Sequence, residues 1–296
     1  MAKNIRIIPR LDIKGPNLVK GIHLEGLRVL GRPEQFARYY NEQGADELVY
    51  MDVVASLYNR NSLHAIIQKT AREIFIPLTV GGGLRTIEDI RGVLRAGADK
   101  VSLNTAAIKN PQIITEASRI FGSSTILVSI EAIRQANGRY LAYTDNGREH
   151  TGIDVLEWAK KVEGLGAGEI MLTSIDREGT GQGYDLELTG MVAGAVSIPV
   201  IACGGAGANE HIRQAIVEGK TNAVAMASVL HYDFIKNNKV EIDASSEGNI
   251  AFLRSGKSYS KIETAGLREI KDYLHKEGIE CRRCGGEGTK GCRALM

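Results

Sequence analysis

Ile76-Pro77-Leu78-Thr79-Val80-Gly81-Gly82-Gly83 returns 122 residues later as Ile198-Pro199-Val200-Ile201-Ala202-Cys203-Gly204-Gly205. The same offset carries Gly44-Ala45-Asp46-Glu47-Leu48 onto Gly166-Ala167-Gly168-Glu169-Ile170, and Ala96-Gly97 onto Glu218-Gly219. One register spanning several elements implies two homologous halves. In each half an apolar run ends in glycines and a helical pattern follows, an arrangement that brings backbone N–H groups and a helix N-terminus to one place. Such a place holds a phosphate. Two of them suit a substrate with a phosphate at each end.

Outward from the repeat, short apolar runs bounded by turns alternate with longer amphipathic stretches. The predicted strands cover Ile5 to Leu11, Leu48 to Val53, Ile76 to Val80, Lys100 to Leu103, Thr125 to Ile130, Glu169 to Ser174, Pro199 to Ala202 and Ala223 to Ala227. Predicted helices follow them, from Glu34 to Gln43 at the first to Leu267 to Lys276 at the last. Strands apolar on both faces and alternating with helices are parallel strands covered by helices. The expected fold class is α/β, a (βα)8 TIM barrel built from two half-barrels; an open doubly wound sheet is the alternative. Residues 1–280 read as one barrel with a polar surface insertion at about 236–258, and 281–296 as a Cys/Gly-rich tail.

Composition narrows the partners. A net charge of +2 with a pI near 8.3 comes from residues scattered along the 296-residue chain, which argues against nucleic acid. The N-terminus carries no apolar leader and no run approaches the roughly 20 residues that span a bilayer, so the expectation is a soluble cytoplasmic protein without membrane contact. The four cysteines do not form a disulfide framework. Cys281, Cys284 and Cys292 resemble half of a zinc knuckle lacking its fourth ligand, and the preferred reading is a frayed tail with exposed thiols. No cofactor is called for.

In a (βα)8 barrel chemistry sits where strands end, whereas the strand starts serve stability. Asp12 ends the first strand and Glu131 the fifth, at nearly equivalent places in the two halves. Two carboxylates across a barrel mouth can divide the work of general acid and base if their environments separate them; otherwise they are loop carboxylates making caps or ion pairs. The first phosphate set is Gly82 and Gly83 with Asn104 and Thr105. The second is Gly204 and Gly205 with Ala227 and Ser228, near Gly179 and Thr180. Glycine lets backbone N–H groups approach an oxyanion, and the hydroxyls add donors. Lys20, on the first loop, can reach over the mouth as a mobile cation.

At the opposite end four strands begin with a charge: Arg6, Glu47, Lys100 and Glu169. A lone charge is costly at a barrel floor, so two cations and two carboxylates are expected to neutralise one another there. Arg6 and Asp12 share strand parity and are separated by roughly 20 Å. A polar plug then lies beneath the mouth.

With Leu78-Thr79-Val80-Gly81-Gly82-Gly83, Gly97-Ala98-Asp99-Lys100-Val101-Ser102, Leu172-Thr173-Ser174-Ile175-Asp176-Arg177 and Gly204-Gly205-Ala206-Gly207, the chain resembles the HisF family, the cyclase subunits of imidazole glycerol phosphate synthase. The likeness runs from Ile5 to about His231 and resumes from Ser260 to Arg282. It implies a partner glutaminase docked under the floor, whose ammonia passes a gate matching Arg6, Glu47, Lys100 and Glu169, with Asp99 facing the partner. It also implies an imidazole-forming lyase reaction on an open-chain bis-phosphorylated ribonucleotide, with Asp12 and Glu131 as acid and base. A sister isomerase with the same doubled barrel needs neither ammonia nor this floor set.

Departures fall at the mouth. Glu131 and Glu178 stand where the family usually has aspartate. Arg10 stands where it usually has a small cysteine, on the same side of the strand as Asp12 and about 6 to 7 Å deeper. A guanidinium there is expected to weaken Asp12 as a base and to occupy space that ammonia must cross. Two further readings are therefore carried: a paralogue delivering ammonia to a sugar nucleotide or sugar phosphate in surface-glycan synthesis, and a non-catalytic activator of the glutaminase.

Overall fold

A computed structural model describes residues 4–55, 63–238 and 262–283. Eight parallel strands close into a barrel: β1 (Arg6–Lys14), β4 (Leu48–Asp52), β5 (Leu78–Gly81), β6 (Lys100–Leu103), β7 (Ile126–Arg134), β10 (Glu169–Ser174), β11 (Val200–Cys203) and β12 (Ala223–Met226). Each pairs with the next in parallel, β1 pairs β12, and β7 pairs β10, so no edge is left in the ring. β5 and β11 have the same bounds once the offset of 122 is applied. The open-sheet alternative is thereby excluded.

Alternation along the strands sorts the side chains into two cores. On β1, Ile7, Leu11 and Ile13 pack outward against the helices. Ile8 joins Val49, Leu127, Met171, Ile201 and Ala223 in a separate apolar cluster inside the barrel. Helices are held by the same logic. The one at Ile87–Arg95 starts on a capping box in which Thr86 and Asp89 satisfy each other's backbone N–H groups, and it buries Ile90 and Val93. Among the described residues no helix is long and apolar enough to cross a membrane.

The strand boundaries differ from expectation where the site is built. β1 runs on to Lys14 and β7 to Arg134, so Asp12 and Glu131 lie within strands rather than just beyond them. Each strand then folds back into an antiparallel hairpin: β2 (Asn17–Ile22) with β3 (Glu25–Gly31) after β1, and β8 (Tyr140–Thr144) with β9 (Glu149–Asp154) after β7. The two hairpins occupy equivalent places in the two halves and rise over the same mouth.

Barrel contacts continue into the start of the tail. Cys281 is buried and forms a parallel bridge with Ile5, which corrects the expectation of an exposed thiol. Among the described residues no cluster of three potential metal ligands exists, and Cys284 and Cys292 lie outside them. Most of the 236–258 segment also lies outside them; Lys236 and Asn237 close the helix Ser228–Asn237. Asp46 ties this region together by accepting from Ile7 N–H at 2.8 Å, Arg282 Nε at 2.9 Å and Lys271 Nζ at 2.8 Å. Lys271 is only 1% exposed. Removing the carboxylate leaves a buried ammonium without its counter-charge, so Asp46→Ala is expected to cost about 3 to 5 kcal/mol, measured as a lower denaturant midpoint at unchanged m-value.

Candidate active site

Strand ends, glycine turns and the two hairpins converge on one face. Its centre is inside β1, where residues of even number point into the barrel. Arg10 Nε donates to Asp12 Oδ1 at 2.9 Å, and its Nη1 lies 3.3 Å from Thr173 Oγ1 on β10 and from Cys203 Sγ on β11. The guanidinium thus leans along the wall of the second half-barrel. Glu131, on β7 of the same half-barrel and beside Thr173 of β10, accepts the Gly147 N–H at 2.8 Å from the turn of the β8–β9 hairpin. Burial pushes its carboxyl up to about 7, only partly offset by Arg10 and by the Gly147 N–H. The two acidic positions therefore differ in kind: Asp12 is held by an ion pair, and Glu131 carries a titratable proton near neutrality.

The glycine turns are as the sequence implies. Gly82 has φ +97° and Gly204 φ +90°, a region where only glycine is at ease. A Cβ on Gly82 would stand 2.2 Å from the Asp52 carbonyl oxygen, and one on Gly204 2.7 Å from the Ser174 carbonyl oxygen. Asp52 and Ser174 are themselves 122 residues apart, so both halves make the same close backbone approach. Two cavities follow. The first, about 240 Å³, is lined by Gly82, Gly83, Asn104, Thr105 and Glu131 among others. The second, about 10 Å³, is lined by Gly179, Gly204, Gly205, Ala227 and Ser228 together with Lys20 and Glu178.

The second cavity is small because two long side chains fill it. Lys20, expected as a mobile cation, is a buried residue of β2 in an ion pair with Glu178. The hairpin that the sequence reading treated as a loop fixes it there. Burial works to lower the lysine's pKa, but the Glu178 and Asp12 carboxylates together outweigh this and leave it raised. Thr180 is not part of the lining, because its hydroxyl donates to the Arg177 carbonyl at 2.7 Å and shapes the turn instead. Asn104 donates to the Tyr143 carbonyl at 3.3 Å, and Thr105 Oγ1 accepts the Asp145 N–H at 3.1 Å, so the β8–β9 hairpin also braces the first phosphate set.

Several contributors escaped the sequence reading. Gly147 and Asn146 reach the mouth from a hairpin whose signal was present, Asn146-Gly147 between alternating runs. Arg85 and Lys109 line the first cavity and bring two cations to it. Both follow strand ends closely enough to be expected there.

At the floor the four charges form a closed ring. Arg6 contacts Glu47 at 2.9 Å and also Glu169, while Lys100 contacts Glu47 at 2.9 Å and Glu169 at 3.1 Å. Thr79 adds a hydroxyl to Glu47 at 2.5 Å. Glu47 and Glu169 are equivalent through the repeat, so each half supplies one carboxylate. Above the ring, Ser102 and Ser129 keep buried hydroxyls without a hydrogen-bond partner, and Ser102 also lines the first cavity. Asp99, exposed before β6, accepts the Leu78 N–H at 2.8 Å.

The sequence is similar to those of known proteins. Residues 6–236 match the model of the family described as histidine biosynthesis protein. The chain is 61% identical over 204 residues to "Imidazole glycerol phosphate synthase subunit HisF" of Legionella pneumophila, spanning 69% of this chain and 96% of that protein. Proteins of the same name from Alkaliphilus metalliredigens and Methanocaldococcus jannaschii are each 50% identical, over 228 and 246 residues respectively. In both cases the match covers 77% of this chain and 90% of the relative.

Proposed function

The chain belongs to the histidine biosynthesis protein family, as a HisF-type lyase/cyclase, and from that premise we propose that it consumes ammonia from a glutaminase partner on a bis-phosphorylated acceptor held across the mouth. The observation that carries this reading is the pairing of a closed charged ring at one end of the barrel with two repeat-related glycine cradles at the other. Ammonia released beneath the floor passes Arg6, Glu47, Lys100 and Glu169. It then rises through the apolar interior past Ser102 and Ser129, whose unpartnered hydroxyls can hold it in turn.

At the mouth the acceptor's phosphates sit on Gly82, Gly83, Asn104 and Thr105 at one end, and on Gly179, Gly204, Gly205, Ala227 and Ser228 at the other. Lys20 and Glu178 yield room at the second end. Ammonia adds to an electrophilic carbon of the acceptor; Asp12 accepts a proton from the nitrogen, and Glu131 protonates the departing oxygen. Ring closure and cleavage of the ribonucleotide complete the imidazole-forming reaction of the family. The partner docks on the floor face, where Asp99 is exposed and Phe75, 91% exposed in the segment before β5, offers an apolar anchor.

Arg10 favours a second reading, a paralogue acting on a different bis-phosphorylated acceptor such as a sugar nucleotide, because its ion pair ties up one member of the acid–base couple. One experiment separates the two. The protein is supplied near neutral pH with a high concentration of ammonium and the open-chain phosphoribulosyl formimino aminoimidazole carboxamide ribonucleotide. The histidine-pathway reading expects turnover that falls by about 10²-fold or more in Asp12→Asn. Absence of turnover, with thermal stabilisation by the same compound retained, favours a different acceptor.

A further inference from the structure

Among the described residues the two cavities at the mouth share a single lining residue, Arg10, and each of the others lines one of the two only. The guanidinium is thus the partition between the two glycine cradles. A molecule with a phosphate in each must pass over it. We propose that Arg10 is a substrate-binding residue that takes an oxygen at the middle of the acceptor, making recognition three-pointed: phosphate, central oxygen, phosphate. This deepens the reading given under Proposed function and rests on it for the two end phosphates.

The way Arg10 is held supports this role. Its side chain is almost wholly buried, yet only Nε meets Asp12 at an ordinary charge-assisted distance of 2.9 Å. Nη1 spends its donors on a hydroxyl and a thiol, both at 3.3 Å. A thiol is a weak acceptor, and burial keeps the Cys203 thiol above its ordinary pKa and hence neutral. A carbonyl, carboxylate or phosphate oxygen is a far better partner for a buried guanidinium, so exchanging these contacts for an acceptor oxygen is favourable. The main chain beneath does not need to move. The Arg10 carbonyl is held by His231 Nε2 at 3.0 Å, with Tyr40 bracing the other ring nitrogen at 2.6 Å. Strand pairing to β4 and β12 on either side fixes the rest of β1. Only the side chain is left to respond.

Arg10 at the partition also gives the mouth a selectivity that the cradles lack. Glycine turns read phosphate and nothing between the phosphates. A guanidinium at the partition discriminates against a linker without oxygen, because such a linker would cover Arg10 while offering it nothing.

The test uses synthetic probes on the full chain: oligo(ethylene glycol) bisphosphates of graded length, alkanediol bisphosphates of matching length, and glycerol phosphate as the monophosphate, each titrated by calorimetry. Wild-type protein is expected to bind the ether-linked series at its best length about tenfold or more tighter than the all-methylene counterpart. Arg10→Lys keeps a positive charge opposite Asp12 but removes the planar fork. It is expected to lose that preference while glycerol phosphate binding stays within about twofold, a pattern that a purely structural role would not give. If Arg10→Lys fails to fold, the double variant Arg10→Gln/Asp12→Asn removes both charges together and is read the same way. Retention of the ether preference without Arg10, or equal weakening of monophosphate and bisphosphate, overturns the proposal while leaving the bis-phosphate reading intact. Wild-type protein that binds no bisphosphate more tightly than glycerol phosphate overturns both.

Discussion

Replacing Glu131 by Gln is expected to lower turnover by about 10² to 10⁴-fold and to flatten its pH dependence. The expectation follows from where the carboxyl sits. Burial raises its pKa to about 7, above the ordinary value of 4.5, so near neutrality it holds a proton that it can give away. In its proposed role as general acid Glu131 must be protonated, so wild-type turnover is expected to fall as pH rises through about 7. Turnover that increases through the same range would assign it the opposite role. The same shift enters stability. The native state binds more protons than the unfolded chain between 4.5 and about 7, so the stability contributed by neutral Glu131 is complete below 4.5 and is lost as pH rises through about 7. Glu131→Gln keeps the shape without the titration, and its denaturant midpoint is expected to lack that decline. Gly147 N–H, which donates to the Glu131 carboxylate, has an amide oxygen available as its acceptor in the variant.

How far the sequence carries depends on the range of the interaction. The repeat at 122 residues made the closed barrel legible, and it survives in the structure as matched bounds for β5 and β11. The glycine cradles were legible because positive φ and close backbone approach leave a composition signal that no other residue can give, as at Gly82 and Gly204. The floor charges were legible through parity, since a strand start with an inward charge needs partners. What stayed hidden lies across the barrel or in the hairpins. Lys20 reads as a loop lysine until β2 and β3 are recognised as paired strands. Nothing near it in sequence announces Glu178, 158 residues away. Arg10 was visible as an intruder, but its partners Thr173 and Cys203 are fixed only once β10 and β11 stand beside it through closure of the ring. Thr180 shows the reverse case, a residue of suitable type in a suitable loop whose hydroxyl donates within its own turn.

The floor ring carries the other large expected effect. Its two cations each bridge both carboxylates, and those carboxylates are nearly buried. Lys100→Met removes one cation, fills the gap with an apolar chain of similar length, and leaves Arg6 to hold Glu47 and Glu169 alone. If the ring is the entrance for nitrogen, the damage is confined to nitrogen arriving from below. Ammonia supplied at high concentration reaches the mouth from solvent and bypasses the ring. The glycine turns and Glu131 lie at the other end of the strands and are untouched.

The most direct measurement compares wild type and Lys100→Met, each with the glutaminase partner, for turnover of the bis-phosphorylated acceptor driven either by glutamine or by an ammonium salt. A drop of about tenfold or more in the glutamine-driven rate, with the ammonium-driven rate within about twofold of wild type, is the predicted result. Equal loss of both rates, or no loss of either, would contradict a passage from the charged floor to the phosphate-holding mouth.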